Sequence, residues 1–148
     1  MHMSIYTFDQ SVIKFFQKYW IPAARVAMAV VFIWFGMLKV LHLSPAGGLV
    51  QALFESSIHF VTFATFYTIF AWFEVIIGVL FLIPRATRIV IPLLFIHMIT
   101  TFGPLVLLPG ESWSAFMVPT LVGQYIIKNL VLIAVAMGIA AHVSPLKQ

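Results

Sequence analysis

Four long apolar runs divide this chain, over about 22–43, 58–83, 87–108 and 120–142, and short segments rich in Pro, Gly, Ser or charge separate them. At 1.5 Å of rise per residue, each run is long enough as a helix to cross about 30 Å of hydrocarbon. Pro22 stands where a helix can start, Pro84 stops the second run, and Pro119 precedes the fourth. Pro92 and Pro104 predict kinks in the third. Neither the alternation of a membrane β-barrel nor an internal repeat is present.

The connecting segments carry their own patterns. Residues 8–20, "FDQSVIKFFQKYW", mix Lys14, Gln17 and Lys18 with Phe15, Phe16, Tyr19 and Trp20. That mixture predicts a short helix lying in the headgroup layer, with Trp20 as its anchor. In 44–57, Ser44 can cap and Pro45 can start a short surface helix with Leu49, Ala52 and Leu53 on one face. Residues 84–88, "PRATR", form a tight basic turn, and 104–119 form a long, proline-bearing loop that folds back onto the bundle. The expected fold is therefore all-α. It is a single domain over 1–148, a four-helix transmembrane bundle with an N-terminal interfacial helix and a short surface helix after the first span.

Composition sharpens this picture. Hydrophobic residues make up 63% of the chain and charged residues 8%. A soluble domain carries about a quarter charged residues, so the lipid bilayer is the expected partner. The absence of cysteine excludes disulfides, thiolate catalysis and iron–sulfur ligation. The N-terminus lacks the pattern of a cleavable signal. The net charge of +4 sits largely at segment ends and reads as a topology signal, with no nucleic acid as partner. Lys14, Lys18, Arg25, Arg85, Arg88 and Lys147 fall on one side of a chain that crosses four times. The positive-inside rule then places both termini in the cytoplasm.

Five ionisable residues lie within the runs: Arg25, Lys39, Glu74, His97 and Lys128. Such groups are costly in hydrocarbon and turn inward to find partners. Arg25, Ala29, Phe32, Gly36 and Lys39 share one helix face, and so do Tyr67, Ala71, Glu74 and Gly78. Gln124, Lys128, Val131, Val135 and Gly138 form a third stripe. The stripes are expected to converge on one interior, their small residues letting backbones approach. Counting rise per residue puts Glu74 and His97 near the midplane and the two lysines slightly farther out; Arg25 lies lower and snorkels to the cytoplasmic interface. Lys39, Lys128 or both then neutralise Glu74. Two lysines around one carboxylate leave an excess positive charge, which suits a quinone carbonyl or a small oxyanion. Equally, the charges can form an interhelical ion pair that only fixes packing. His97 reads as a hydrogen-bonded core histidine, and the aromatic stretch 63–73 as packing surface. His42 and His59 fall at matched depth, as bis-histidine haem would need, but no motif accompanies them.

Several of these residues form recognisable pieces: Arg25 at the start of the first span, "FGMLK" with Gly36 and Lys39, "FEVIIGVLFLI" with Glu74 and Gly78, and "GQYIIKNLVLI" with Lys128 and Asn129. Over about 22–142 the chain resembles the DoxX-like superfamily of small four-span bacterial inner-membrane proteins, which includes DoxX, DoxD and YkgB-type proteins. The resemblance implies a multi-pass protein of the bacterial inner membrane that serves as an accessory or quinone-associated subunit of a redox system. Quinone is the cofactor it admits; no cofactor-binding motif is present. Its partner would be another membrane or peripheral redox subunit, or further copies of itself. Under that reading Glu74 is the proton acceptor. Arg25, Lys39 and Lys128 build the polar interior, with His97, Gln124, Tyr125 and Asn129 as supporting donors. Two other function classes stay open: a structural or assembly subunit of a larger membrane complex, and a small-solute or proton transporter.

Overall fold

The computed structural model describes residues 2–57 and 60–145, with side chains from residue 5 onward. Helix α1 spans His2–Val40, α2 Gly47–Ser57, α3 Phe63–Phe81, α4 Thr87–Phe102 and α7 Leu121–Ala140. A 3₁₀ turn, Pro84–Ala86, joins α3 to α4. Between α4 and α7 lie two single-turn helices, α5 (Pro104–Leu107) and α6 (Pro109–Ser112), and a hairpin of β1 (Trp113–Ala115) and β2 (Val118–Pro119). Four helical segments are long and apolar enough to cross a membrane: Ile5–Val40, Phe63–Phe81, Pro84–Leu107 and Leu121–Ala140.

The first segment differs from expectation. No separate interfacial helix precedes Pro22; one helix runs unbroken from His2 to Val40 with Pro22 inside it. Proline removes one N–H donor, so only the Lys18 carbonyl loses its partner, while the bonds on both sides hold the helix together. Its apolar part, 36 residues long, spans about 54 Å, well beyond the hydrocarbon thickness. From Ile5 to Trp20 its side chains are exposed or half-buried.

Other boundaries follow local chemistry. The Leu43 N–H reaches back to the Leu38 carbonyl at 2.8 Å, closing α1, while His42 takes the left-handed conformation at φ 56°. Glycine usually fills that position; here the imidazole gains a stacked contact on Tyr67, centroid to centroid 5.9 Å. Helix α2 begins at Gly47, two residues after Pro45, because the Ser44 hydroxyl and carbonyl hold a turn over Ala46 and Gly47 instead. Thr62 and Thr120 cap α3 and α7, accepting from Thr65 N at 3.3 Å and Gly123 N at 3.1 Å. At Pro104 the third span is interrupted. Helix α4 ends at Phe102 and Pro104 opens α5, the first-turn position where proline's missing N–H costs nothing. Pro92 is carried inside α4.

The tightest contact is between α1 and α3. A Cβ on Gly36 would lie 2.8 Å from Val75 Cγ2 and 2.9 Å from Val75 N. A Cβ on Gly78 would lie 2.6 Å from Ile33 Cγ1 and 2.8 Å from Ile33 N. The two antiparallel helices thus touch through one glycine each, with Ala71 and Ala29 at matching places opposite. Below this contact Met28, Phe32, Ile77, Phe81, Leu94 and Ile139 form the apolar core. Arg25 is half-buried beside it and donates to the Phe81 carbonyl at 3.2 Å and to Thr87 Oγ1 at 2.6 Å. It therefore ties the end of α3 to the start of α4.

The loop after α4 folds back as expected, and its partners are specific. Ser112 is fully buried; its hydroxyl donates to the Pro104 carbonyl at 2.8 Å and its carbonyl accepts from Thr120 N at 3.0 Å. The Trp113 indole donates to the Leu105 carbonyl at 2.9 Å.

A candidate polar site between three helices

Because α1 and α3 meet through glycines, the residues flanking those glycines are brought close together. Lys39 lies one turn beyond Gly36, and Glu74 one turn before Gly78. Lys39 Nζ and Glu74 Oε2 are 2.5 Å apart, and both residues are 6% exposed. Helix α4 adds the third group: His97 Nε2 lies 3.3 Å from Glu74 Oε1, with His97 4% exposed. Each carboxylate oxygen therefore has its own nitrogen partner.

Aromatic rings enclose the cluster. His97 stacks against Phe70, 5.2 Å between centroids at 24°, and meets Phe32 edge-on at 5.5 Å and 76°. Lys39 Nζ sits 5.6 Å from the Phe70 centroid. Such rings lower the local dielectric and strengthen the ion pair they surround. They also supply faces that attract the ammonium. Among the described residues, His97 Nδ1 is the one buried side-chain nitrogen or oxygen with no hydrogen-bond partner.

A search of family models, of curated proteins and of solved structures finds no match for this chain. The site is therefore read from its geometry.

The eight residues singled out from the sequence separate into three groups. Lys39, Glu74 and His97 come together. Arg25 does not join them: about 21 Å of helix separates it from Lys39, and it is occupied at Phe81 and Thr87. The α7 group faces away. Gln124, Tyr125 and Lys128 are exposed, and Asn129 donates to the Tyr125 carbonyl at 3.4 Å within its own helix. Lys128 Nζ rests 5.2 Å from the Tyr125 centroid, so only one lysine neutralises Glu74. The expected excess of positive charge around the carboxylate is absent for that reason. Gly123, Ile126, Ala136 and Ile139 form the buried face of α7, at helical spacing and with no polar member. Of the two histidines weighed for haem, His42 stacks on Tyr67, and His59 lies outside the described residues. Lys147, one of the topology-setting residues, lies outside them as well.

Sequence reasoning gave His97 a supporting part, yet it is a member of the central cluster. The available signal was its depth, matched to Glu74 by residue counting. Phe70, which touches both His97 and Lys39, was read as packing surface; nothing in a phenylalanine-rich helix marks which ring will meet a charge.

Proposed function

We propose that this chain is a small DoxX-like protein of the bacterial inner membrane, both termini cytoplasmic, that holds a quinone-type head group for a redox partner. The observation that carries this reading is the buried Lys39–Glu74–His97 cluster. Such a cluster is expensive to place in hydrocarbon, and intramembrane ionisable groups mark ligand or proton paths. A quinone needs donors for its two oxygens, and its reduction or reoxidation needs a proton carrier nearby. The Lys39 ammonium carries hydrogens beyond the one it gives Glu74 and can serve a quinone oxygen, and the carboxylate beside it is the group that can exchange a proton. The electron chemistry belongs to the quinone and to the partner's centre. The exposed Gln124–Lys128 face of α7 supports membership of an assembly, since a lysine turned away from its own bundle can meet an acidic group on another subunit. The aromatic and lysine pattern of residues 8–20 supports contact of the N-terminal part of α1 with the cytoplasmic headgroup layer.

The test combines two measurements. Tagged protein isolated in mild detergent is expected to bring quinone and a constant stoichiometric partner with it. Glu74→Gln is expected to abolish quinone-linked activity of that complex while the protein still inserts. Full activity in the variant would remove Glu74 from the chemistry.

A second reading has one observation in its favour. Both oxygens of Glu74 are satisfied within the chain, as in an ion pair that only fixes helix packing. Under that reading the protein is an assembly subunit, and no quinone accompanies it through purification.

A further inference from the structure

We infer that α1 is a pairing helix: two copies of this chain lie side by side in the membrane, the same face of α1 from each meeting as a parallel coiled coil from Ile13 to Leu41. The pairing goes beyond the quinone reading and does not depend on it. It needs only that both copies cross the membrane in the same direction.

That face carries an unbroken heptad pattern. Ile13, Phe16 and Trp20 stand three and four residues apart. The same alternation continues through Ala23, Ala27 and Val30 and ends with Trp34, Met37 and Leu41. Sustained over four heptads, this spacing keeps one stripe turned to a partner when two helices wind left-handedly around each other. Every member of the stripe is exposed except Met37, which is half-buried. The charged residues of the same stretch, Lys14, Lys18, Arg25 and Lys39, follow one another at four, seven and fourteen residues, on the opposite side of the helix. No charge therefore enters the seam, and Lys14 and Lys18 stay on the outside of the pair, where headgroups can meet them. One step before Ile13 the pattern reaches Asp9, and there the stripe ends.

Most faces of a membrane helix are apolar, so the part of α1 beyond the bilayer carries the most weight. The apolar part of α1, 36 residues long, exceeds the hydrocarbon thickness by about 24 Å. In the protruding part Phe15 and Tyr19 lie against each other, 4.8 Å between centroids. Ile13 and Phe16 are left 42% and 64% exposed, which water penalises. Farther in, Val30, Trp34, Met37 and Leu41 continue the same face and line an apolar groove of about 480 Å³, with Ile33 and Leu82 beside them. Tryptophan ordinarily sits at headgroup level. Trp34 instead points outward, 65% exposed, at the depth where Gly36 meets Val75 near the middle of α3. In a parallel pair, the hole that receives Trp34 is formed by Val30, Ile33, Trp34 and Met37 of the second copy, and all four line this groove. The face is thus complementary to itself, as a two-fold pair requires.

The available area is of the right size. Phe16, Trp20 and Trp34 of the two copies alone offer roughly 500–850 Å² of exposed ring surface, against about 1,200–2,000 Å² for a stable interface. Ile13, Val30, Met37 and Leu41 add to it, and Ala23 and Ala27 let the two backbones approach. Trp20 also touches its own bundle, since a Cβ on Gly138 would lie 2.8 Å from its ring.

The chain has no cysteine, so single introduced thiols report the pairing. Ile13→Cys, Phe16→Cys, Trp20→Cys and Ala23→Cys sample the stripe, and Lys14→Cys and Lys18→Cys sample the opposite face. Each full-length variant is oxidised with copper–phenanthroline in native membranes. A disulfide forms only where two Cα atoms come within about 7 Å. The expected result is a covalent species of twice the chain mass from the four stripe variants and none from the two lysine positions. Phe16 and Trp34 face away from the core, so Phe16→Glu and Trp34→Ala are expected to fold as the parent does. Each should raise the dimer dissociation constant, read by sedimentation in detergent, about tenfold or more. Cross-links at the lysine positions in place of the stripe would overturn the inference. So would a covalent product with a different protein, or no cross-link from any stripe variant, which would leave lipid on this face. None of these results bears on whether quinone binds.

Discussion

At the scale of single residues, the decisive feature is how Glu74 is satisfied. Its two oxygens meet two nitrogens from two other helices, at 2.5 Å and 3.3 Å. Removing the carboxylate alone leaves a buried ammonium without a counter-ion. Glu74→Gln is therefore expected to cost on the order of 3–5 kcal/mol, read as a lowered unfolding midpoint in detergent. Replacing both partners, Lys39→Met with Glu74→Leu, is expected to recover most of that loss, because an apolar pair needs no compensation. A double variant as unstable as the single one would show that the ion pair contributes more than mutual neutralisation. Arg25 supplies an independent case. Its guanidinium holds the Phe81 carbonyl and Thr87, so Arg25→Ala is expected to lower stability by about 1–3 kcal/mol. The His97 ring resonances should stay where they are, since Thr87, which Arg25 holds, lies about 15 Å of helix from His97.

At the scale of helices, glycine placement sets the geometry on which those residues depend. The α1–α3 contact has no room for a methyl group at Gly36 or Gly78, where backbone atoms already lie within 2.9 Å of an added Cβ. Gly78→Ala is expected to force the helices apart at a cost of about 1–3 kcal/mol. The same separation should lengthen the Lys39–Glu74 contact one turn away. Both effects are measurable in one variant, by thermal unfolding and by the histidine ¹⁵N spectrum, and an unchanged protein would show that α1 can slide freely on α3. The stripes of these two helices were legible in the sequence: Ala29, Phe32, Gly36 and Lys39 on one, and Tyr67, Ala71, Glu74 and Gly78 on the other, are all buried. Helix α7 was not legible in the same way. Its polar residues, Gln124 and Lys128, turn outward, and its apolar stripe turns inward. Lys128 lies only about 10 Å from the start of α7, close enough for its long side chain to extend toward the helix end over Tyr125. Lys39 lies still nearer the end of its own helix, so depth does not separate the two lysines. Lys39 meets Glu74 because Gly36 and Gly78 bring α1 against α3, and no such contact turns the Lys128 face of α7 inward.

At the scale of the whole molecule, the connections decide orientation. The turn with Arg85 and Arg88 and the N-terminal half of α1 with Lys14 and Lys18 share one side; the hairpin lies on the other. The chain has no cysteine, so single introduced cysteines report sidedness without background. A cysteine at Phe116, 95% exposed at the hairpin tip, is expected to react with an impermeant maleimide added outside intact cells. A cysteine at Arg85 is expected to react only after lysis. The reverse pattern would invert the topology. The hairpin itself rests on a backbone contact, since a Cβ on Gly123 would collide with the Ser112 carbonyl. Gly123→Ala should loosen the segment from Pro104 to Pro119 and raise its protease sensitivity.

The sequence by itself determined four apolar helices, their approximate limits and the two small-residue faces along which α1 and α3 meet. Hydrophobic length, proline and glycine placement act locally and can be read one residue at a time. Only the tertiary structure decided which lysine answers Glu74, that His97 completes the cluster, that Arg25 serves the end of α3, and that α1 continues through Pro22. Those outcomes depend on how each helix is rotated about its own axis and on where neighbouring backbones permit contact. Lipid and protein interior are equally apolar, so an apolar sequence pattern alone does not distinguish the face a helix turns to its neighbours from the face it turns away.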